Sequence, residues 1–176
     1  MKGTLNEMQR NALCKLNIGE LNAMQQTAIE HCRNNESMVL LSPTGTGKTL
    51  AFLLPMLERL DVMCNGVQAV IVLPSRELAR QVYEVWRAMA TPFQMTALYG
   101  GRPLEQEVAS LGGSSTSVVV GTPGRLLDHL RNANSYFKVI ISYKLVGCNN
   151  PQGCTLTLFV IIIVSIGSWC KSAWYV

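Results

Sequence analysis

Apolar residues recur every three or four positions over residues 5–16 (Leu5, Met8, Ala12, Leu16), and again over 22–34 (Met24, Ala28, Cys32, led in by Leu21). That spacing predicts two amphipathic helices. Asn34-Asn35-Glu36 interrupts the second. Met38-Val39-Leu40-Leu41 is a short apolar run that predicts a buried strand, and a glycine-rich turn follows it. Residues 48–60 predict a helix with Leu50, Leu53, Leu54 and Leu57 turned inward. The alternation then continues: a strand at 69–73, a helix at 76–90, and a strand at 95–99 ended by Gly100-Gly101. A short helix at 104–111, a strand at 117–120 and a helix at 124–131 complete it. Short apolar strands alternating with helices predict a parallel sheet covered on both faces, joined by right-handed crossovers. The expected fold class is a doubly wound α/β domain.

The pattern weakens after Arg131. Val139-Ile140-Ile141 reads as one more strand, but residues 145–170 carry no charge and show neither helical nor alternating period. Charge tells the same story. Only 15% of the 176 residues are charged, against roughly a quarter in an ordinary soluble protein. All 11 acidic residues lie at or before Asp128, where 11 of the 15 Lys and Arg cancel them; Arg131, Lys138, Lys144 and Lys171 make up the net +4. The chain therefore divides into an ordinary piece, 1–131, and an apolar tail, 132–176. At 48% hydrophobic it is not an intrinsically disordered sequence. Its first residues, Met1-Lys2-Gly3-Thr4-Leu5-Asn6-Glu7, lack the apolar run of a secretory signal, so a cytoplasmic setting is expected. The cysteines at 14, 32, 64, 148, 154 and 170 contain no Cys-x-x-Cys pair, so free thiols are expected rather than a zinc site or disulfide framework.

Chemistry concentrates at Ser42-Pro43-Thr44-Gly45-Thr46-Gly47-Lys48-Thr49, between an expected strand and an expected helix. Glycines let backbone N–H groups converge on an anion, and the helix N-terminus adds unpaired donors and partial positive charge. Lys48 is placed to reach the β- and γ-phosphates of a nucleotide, and the Thr49 hydroxyl to ligate Mg²⁺. These two are the candidate catalytic residues, and Thr49 the candidate metal ligand. Ser42 stands where the strict pattern has its first glycine.

Three further segments follow in order, each at an expected strand end: Pro74-Ser75-Arg76-Glu77-Leu78-Ala79-Arg80-Gln81, Gly100-Gly101, and Thr122-Pro123-Gly124-Arg125-Leu126. Together with residues 42–49 they resemble the first RecA-like domain of DEAD-box RNA helicases, over about residues 20–131. The resemblance implies ATP and Mg²⁺ as cofactors and RNA as partner. It also implies that Gln25, in Gln25-Gln26-Thr27-Ala28-Ile29, reads the adenine edge. The residues before it, Ala23-Met24, depart from the family's proline-containing approach. By the same resemblance Pro74, Ser75, Arg76, Gly101, Thr122, Pro123, Gly124 and Arg125 hold the RNA backbone. Ser75 and Thr122 can donate hydroxyl hydrogen bonds to phosphate, and Arg125 can pair with one bidentately. Such contacts position a strand without reading sequence, consistent with RNA binding despite a neutral first 128 residues. Taken singly, each segment also reads as an ordinary helix start, with Arg76-Glu77 an exposed ion pair and Thr122-Pro123-Gly124 a cap and turn.

The family's Asp-Glu-Ala-Asp carboxylates are expected around residues 140–148, which here read Ile140-Ile141-Ser142-Tyr143-Lys144-Leu145-Val146-Gly147-Cys148. Glu77, Glu105 and Glu107 fall on expected helices and cannot stand in for them. The expected activity is therefore binding of ATP–Mg²⁺ and RNA, with hydrolysis and unwinding lost, and the second RecA-like domain implied as a missing partner. The alternative is a non-catalytic nucleotide- and RNA-binding module that competes with or regulates a helicase. A metabolic kinase would need a substrate lid and a replacement acid, neither of which is visible. Three readings of the tail stand: a departure of the reading frame near Asn132, a C-terminal membrane anchor, or extra core strands. Phe159-Val160-Ile161-Ile162-Ile163-Val164 is uncharged and β-prone, the signature of an aggregating segment.

Overall fold

The computed structural model describes residues 5–131 apart from positions 35, 37, 41, 65, 102 and 113–115. The expectations for 132–176, including the strand at 139–141 and the three readings of the tail, lie outside the described residues. Two helices open the chain, α1 (Glu7–Lys15) and α2 (Ala23–Arg33). Each begins with a capping box, Asn6 with Gln9 and Asn22 with Gln25, in which the side chains satisfy each other's backbone donors. Then follow α3 (Lys48–Arg59), β1 (Ala69–Val72), α4 (Arg76–Ala88), β2 (Gln94–Leu98), α5 (Leu104–Gly112), β3 (Thr116–Gly121) and α6 (Pro123–Arg131).

The three strands form one parallel sheet in the order β1-β3-β2. Their alternate residues divide cleanly between two cores. Ala69, Ile71, Met95, Val118 and Val120 pack with Leu50, Leu53, Leu54 and Leu57 of α3 and with Ala79, Val82 and Trp86 of α4. Val70, Leu98 and Val119 pack on the other face with Leu111 of α5 and Leu126 of α6. Both faces are therefore covered, as the unbroken apolar strands required, and all four leucines expected to face inward on α3 do so. The first core extends to α1 and α2, which pack on α3. Glu58 of α3 ties them on, accepting from Gln9 Nε2 at 2.9 Å and from Arg33 Nε at 2.8 Å.

One expected element is corrected. Residues 38–40 are not in a strand, and Val39 is 68% exposed. An apolar run makes a strand only when a neighbouring strand supplies its hydrogen-bond ladder. Among the described residues β1 pairs with β3 and β2 pairs with β3, and no strand pairs with 38–40. Of the cysteines described, Cys14 and Cys32 carry free thiols, as expected, whereas Cys64 is disulfide-bonded, against that expectation.

Parallel strands place the following loops along one edge of the sheet. Pro74 follows β1, Gly100 follows β2 and Thr122 follows β3. The ladder runs on into these loops: Leu73 N donates to Gly121 O at 2.9 Å, and Thr122 N to Leu98 O at 3.2 Å. Gly121 makes the second contact possible, since a Cβ there would lie 2.4 Å from Leu98 O.

Candidate functional site

The glycine-rich segment, residues 42–49, is a turn running directly into α3. Gly45 and Gly47 have φ of +80° and +83°, the left-handed region that only glycine enters without strain. Gly47 is the N-cap of α3 and no side chain caps it, so the helix start is served by no residue of its own. The loop is otherwise self-bonded. Lys48 Nζ donates to Ser42 O at 2.7 Å and also to Pro43 O, drawing the ammonium back across its own turn. Thr46 Oγ1 donates to Pro43 O at 2.9 Å and pairs with the Ser42 hydroxyl. Thr44 and Thr49 complete the segment, Thr49 within the first turn of α3.

The start of α2 is fastened to this loop. Asn22 Nδ2 donates to Thr46 O at 3.0 Å, and Gln25 Nε2 donates to Gly47 O at 3.1 Å. Gln25 Oε1 meanwhile accepts from Asn22 N at 3.0 Å. Both ends of the Gln25 amide are thus occupied within the protein, and its side chain is buried. The structure brings Gln25 to the loop. A cavity of about 240 Å³ borders the same helix, lined in part by Leu21, Gln26, Ile29 and Arg33; Gln25 is not among its walls. Asn22 falls outside the nucleotide-loop pattern, and its signal in the sequence is Asn-x-x-Gln at a helix start, a capping box.

The three strand-end loops form a second cluster, braced by arginines. Ser75 is the N-cap of α4, its Oγ accepting from Leu78 N at 3.2 Å. Glu77 in the first turn has its carboxyl held below the usual carboxylate range by its own backbone N–H and then by the Ser75 hydroxyl. Arg76 lies over Gly100 and Gly101. A Cβ at Gly100 would stand 3.0 Å from Arg76 Nη2, and one at Gly101 would stand 3.6 Å from Nη1, so the paired glycines are the bed on which this guanidinium rests. Gly101 has φ of +115°. Thr122 precedes α6, and its carbonyl accepts the first intrahelical bond, from Leu126 N at 3.0 Å. Pro123 and Gly124 form the first positions of that helix. Arg125 donates from Nε to Glu107 Oε2 at 2.7 Å, and its side chain is only 13% exposed. His129, one turn further along α6 and fully buried, bonds the same Glu107 oxygen at 2.8 Å. Glu77, Glu105 and Glu107 do lie on helices. Among the described residues, no three His, Cys, Asp or Glu side chains come together to hold a metal ion. No described helix is long and apolar enough to cross a membrane.

A parallel α/β sheet covered on both faces, with a glycine loop opening a helix and uniform strand direction placing three loops on one edge, defines a RecA-like domain. The family model for DEAD/DEAH box helicases matches residues 22–145, and the chain belongs to that family. Among curated relatives it is 36% identical over 128 residues to the ATP-dependent RNA helicase CshA of Listeria monocytogenes serovar 1/2a, covering 72% of this chain and 24% of that one. It is 37% identical over 123 residues to the ATP-dependent RNA helicase DeaD of Escherichia coli K12, covering 68% and 19%. Among solved structures, the DEAD-box helicase Mss116 bound to single-stranded RNA and UDP-BeF superimposes with a TM-score of 0.66 at 29% identity, over 74% of this chain and 28% of that one. The chain thus spans about a quarter or less of the length of these two curated relatives, and it corresponds to part of the N-terminal domain of a DEAD-box helicase.

Proposed function

We propose that this chain binds ATP with Mg²⁺ through residues 42–49 and the backbone of single-stranded RNA along the loops at 74–76, 100–101 and 122–125, without completing the helicase cycle. The observation that carries the reading is the loop itself: two left-handed glycines, a helix N-terminus with no side-chain cap, and Lys48 within it. Such a turn aims backbone N–H groups at an anion. The residues fit a nucleotide triphosphate. The backbone of Thr44, Gly45, Thr46, Gly47 and Lys48 would cradle its phosphates, Ser42 lies at the mouth of the loop, and the Thr49 hydroxyl would ligate the metal. The nucleotide supplies the transferable γ-phosphoryl group. Lys48 exchanges two carbonyl partners for phosphate oxygens, so binding opens a loop that is closed on itself. Gln25 holds the loop through Gly47 O, and its second N–H and second lone pair are the groups that would meet the adenine edge.

At the sheet edge, the RNA backbone would be met by the Ser75 and Thr122 hydroxyls and by the N–H groups after Pro74 and Pro123. Gly101 and Gly124 permit close approach. Mss116, to which the chain is similar, was captured with single-stranded RNA and UDP-BeF, which supports RNA and a nucleotide as partners here. No acidic residue follows Asp128, so the water-activating carboxylates of the family have no counterpart in the tail. Each such electrostatic contribution is worth about 10²–10³-fold in rate, and turnover should be correspondingly low. A second RecA-like domain and a cytoplasmic setting belong to the same reading.

The test is binding and hydrolysis side by side. Purified chain should bind a fluorescent ATP analogue in the presence of Mg²⁺, and Lys48→Ala should weaken that binding by about tenfold or more, the scale of one charge-assisted contact. Hydrolysis should stay at background with and without RNA. RNA-stimulated turnover that disappears in Lys48→Ala would overturn the loss of chemistry.

A further inference from the structure

Glu107 has no place in the family resemblance, yet it is among the most deeply placed charges described: its side chain is 5% exposed. One oxygen, Oε2, takes both the Arg125 Nε–H and His129 Nε2, while Oε1 has no hydrogen-bond partner. Glu107 lies on α5, and both partners lie one turn apart on α6, directly behind Thr122, Pro123 and Gly124. Resting on the RNA-backbone reading above, we propose that Glu107 is a positioning residue. Through Arg125 and His129 it fixes the angle at which the first turn of α6 is presented to RNA, and Arg125 itself makes no phosphate contact.

The argument is one of competing partners. Arg125 holds Glu107 through Nε, so a phosphate that drew the guanidinium away would strip a bond from a buried carboxylate that already has one oxygen unsatisfied, and breaking a buried pair on one side is heavily penalised. An arginine committed in this way is an anchor. Its helix then carries the RNA contact through Thr122 and Gly124, whose orientation follows from how α6 is seated against α5. Gly121 keeps the preceding strand end close, with Leu126 packed 3.1 Å from where its Cβ would be, and the Glu107 cluster adds a directional polar tie to that apolar seat.

The test is a salt titration of RNA binding by the full chain, read by fluorescence anisotropy of a labelled mixed-sequence single strand with ATP and Mg²⁺ present. The wild type is compared with Glu107→Gln, Arg125→Gln and the double variant at a temperature where circular dichroism shows each one folded. For an anchor, both single variants weaken binding by about tenfold, as coupled contacts do. The double variant is no worse than either single variant, and the slope of log affinity against log salt is unchanged throughout. If Arg125 touches phosphate directly, Arg125→Gln makes the slope shallower by about 0.7, Glu107→Gln binds as tightly as wild type or tighter, and the proposal is overturned. Lowered melting temperatures with unchanged RNA affinity would also overturn it, since the cluster would then be structural only. Should Glu107→Gln fail to fold, Arg125→Gln alone still separates anchor from contact by its slope. A wild type that binds no RNA defeats the RNA reading itself, a result distinct from any of these.

Discussion

At the scale of single residues, Gly47 shows how tightly the 42–49 loop is specified. Its φ of +83° costs an L-residue about 1–2 kcal/mol. An added Cβ would also lie 2.5 Å from Gln25 Nε2, displacing an amide whose bond to Gly47 O contributes about 1 kcal/mol. Gly47→Ala should therefore lower the unfolding free energy by about 2–3 kcal/mol in urea and weaken ATP binding alongside; an unchanged urea midpoint would show that the αL position carries no such strain. The glycine turn was legible in the sequence because its spacing before a helix fixes where left-handed backbone falls, at Gly45 and Gly47. The partner of Gln25 was not. A glutamine near a helix start advertises a cap and nothing about a loop 22 residues on. Glu107, Arg125 and His129 were equally hidden as a group, since contacts spanning 18 and 22 residues across a whole strand leave no local spacing to read.

Among the elements, α4 carries a titratable signature at its start. Glu77 is depressed below its ordinary 4.5, first by its own backbone N–H and then by the Ser75 hydroxyl. A carboxyl lowered on folding stabilises the folded chain at pH above that ordinary value, and the contribution is lost as pH falls through the folded value. NMR titration should place the Glu77 midpoint below 4.5 in the native protein, and Ser75→Ala should move it back upward; a native midpoint at or above the ordinary value would contradict the cap geometry. Element existence followed well from periodicity. Six helices and three strands stand where the apolar spacing put them, with ends displaced by no more than a residue or two. The run at 38–41 was the exception. Hydrophobicity reports that a segment wants burial, whereas strand formation depends on a neighbour contributed by another part of the chain, and Met38 and Val39 have none among the described residues.

For the molecule as a whole, the change in composition after residue 131 is expected to govern handling. Residues 1–131 hold two packed cores and mixed charge, while the tail adds Phe159-Val160-Ile161-Ile162-Ile163-Val164 with no acidic residue near it. A chain ending at Arg131 should remain soluble at concentrations where the 176-residue chain sediments, measured by ultracentrifugation of matched preparations; equal solubility would remove the aggregation reading of that segment. The order of strands has a consequence of its own. Because β3 lies between β1 and β2, the loop at Thr122, last in the chain, is the middle one across the edge. A polymer laid along that edge passes Pro74, then Thr122, then Gly100, or the reverse. Successive nucleotides would therefore cross-link to the third of these segments in the chain between the first and the second, and a footprint read in sequence order would look scrambled although the path is straight.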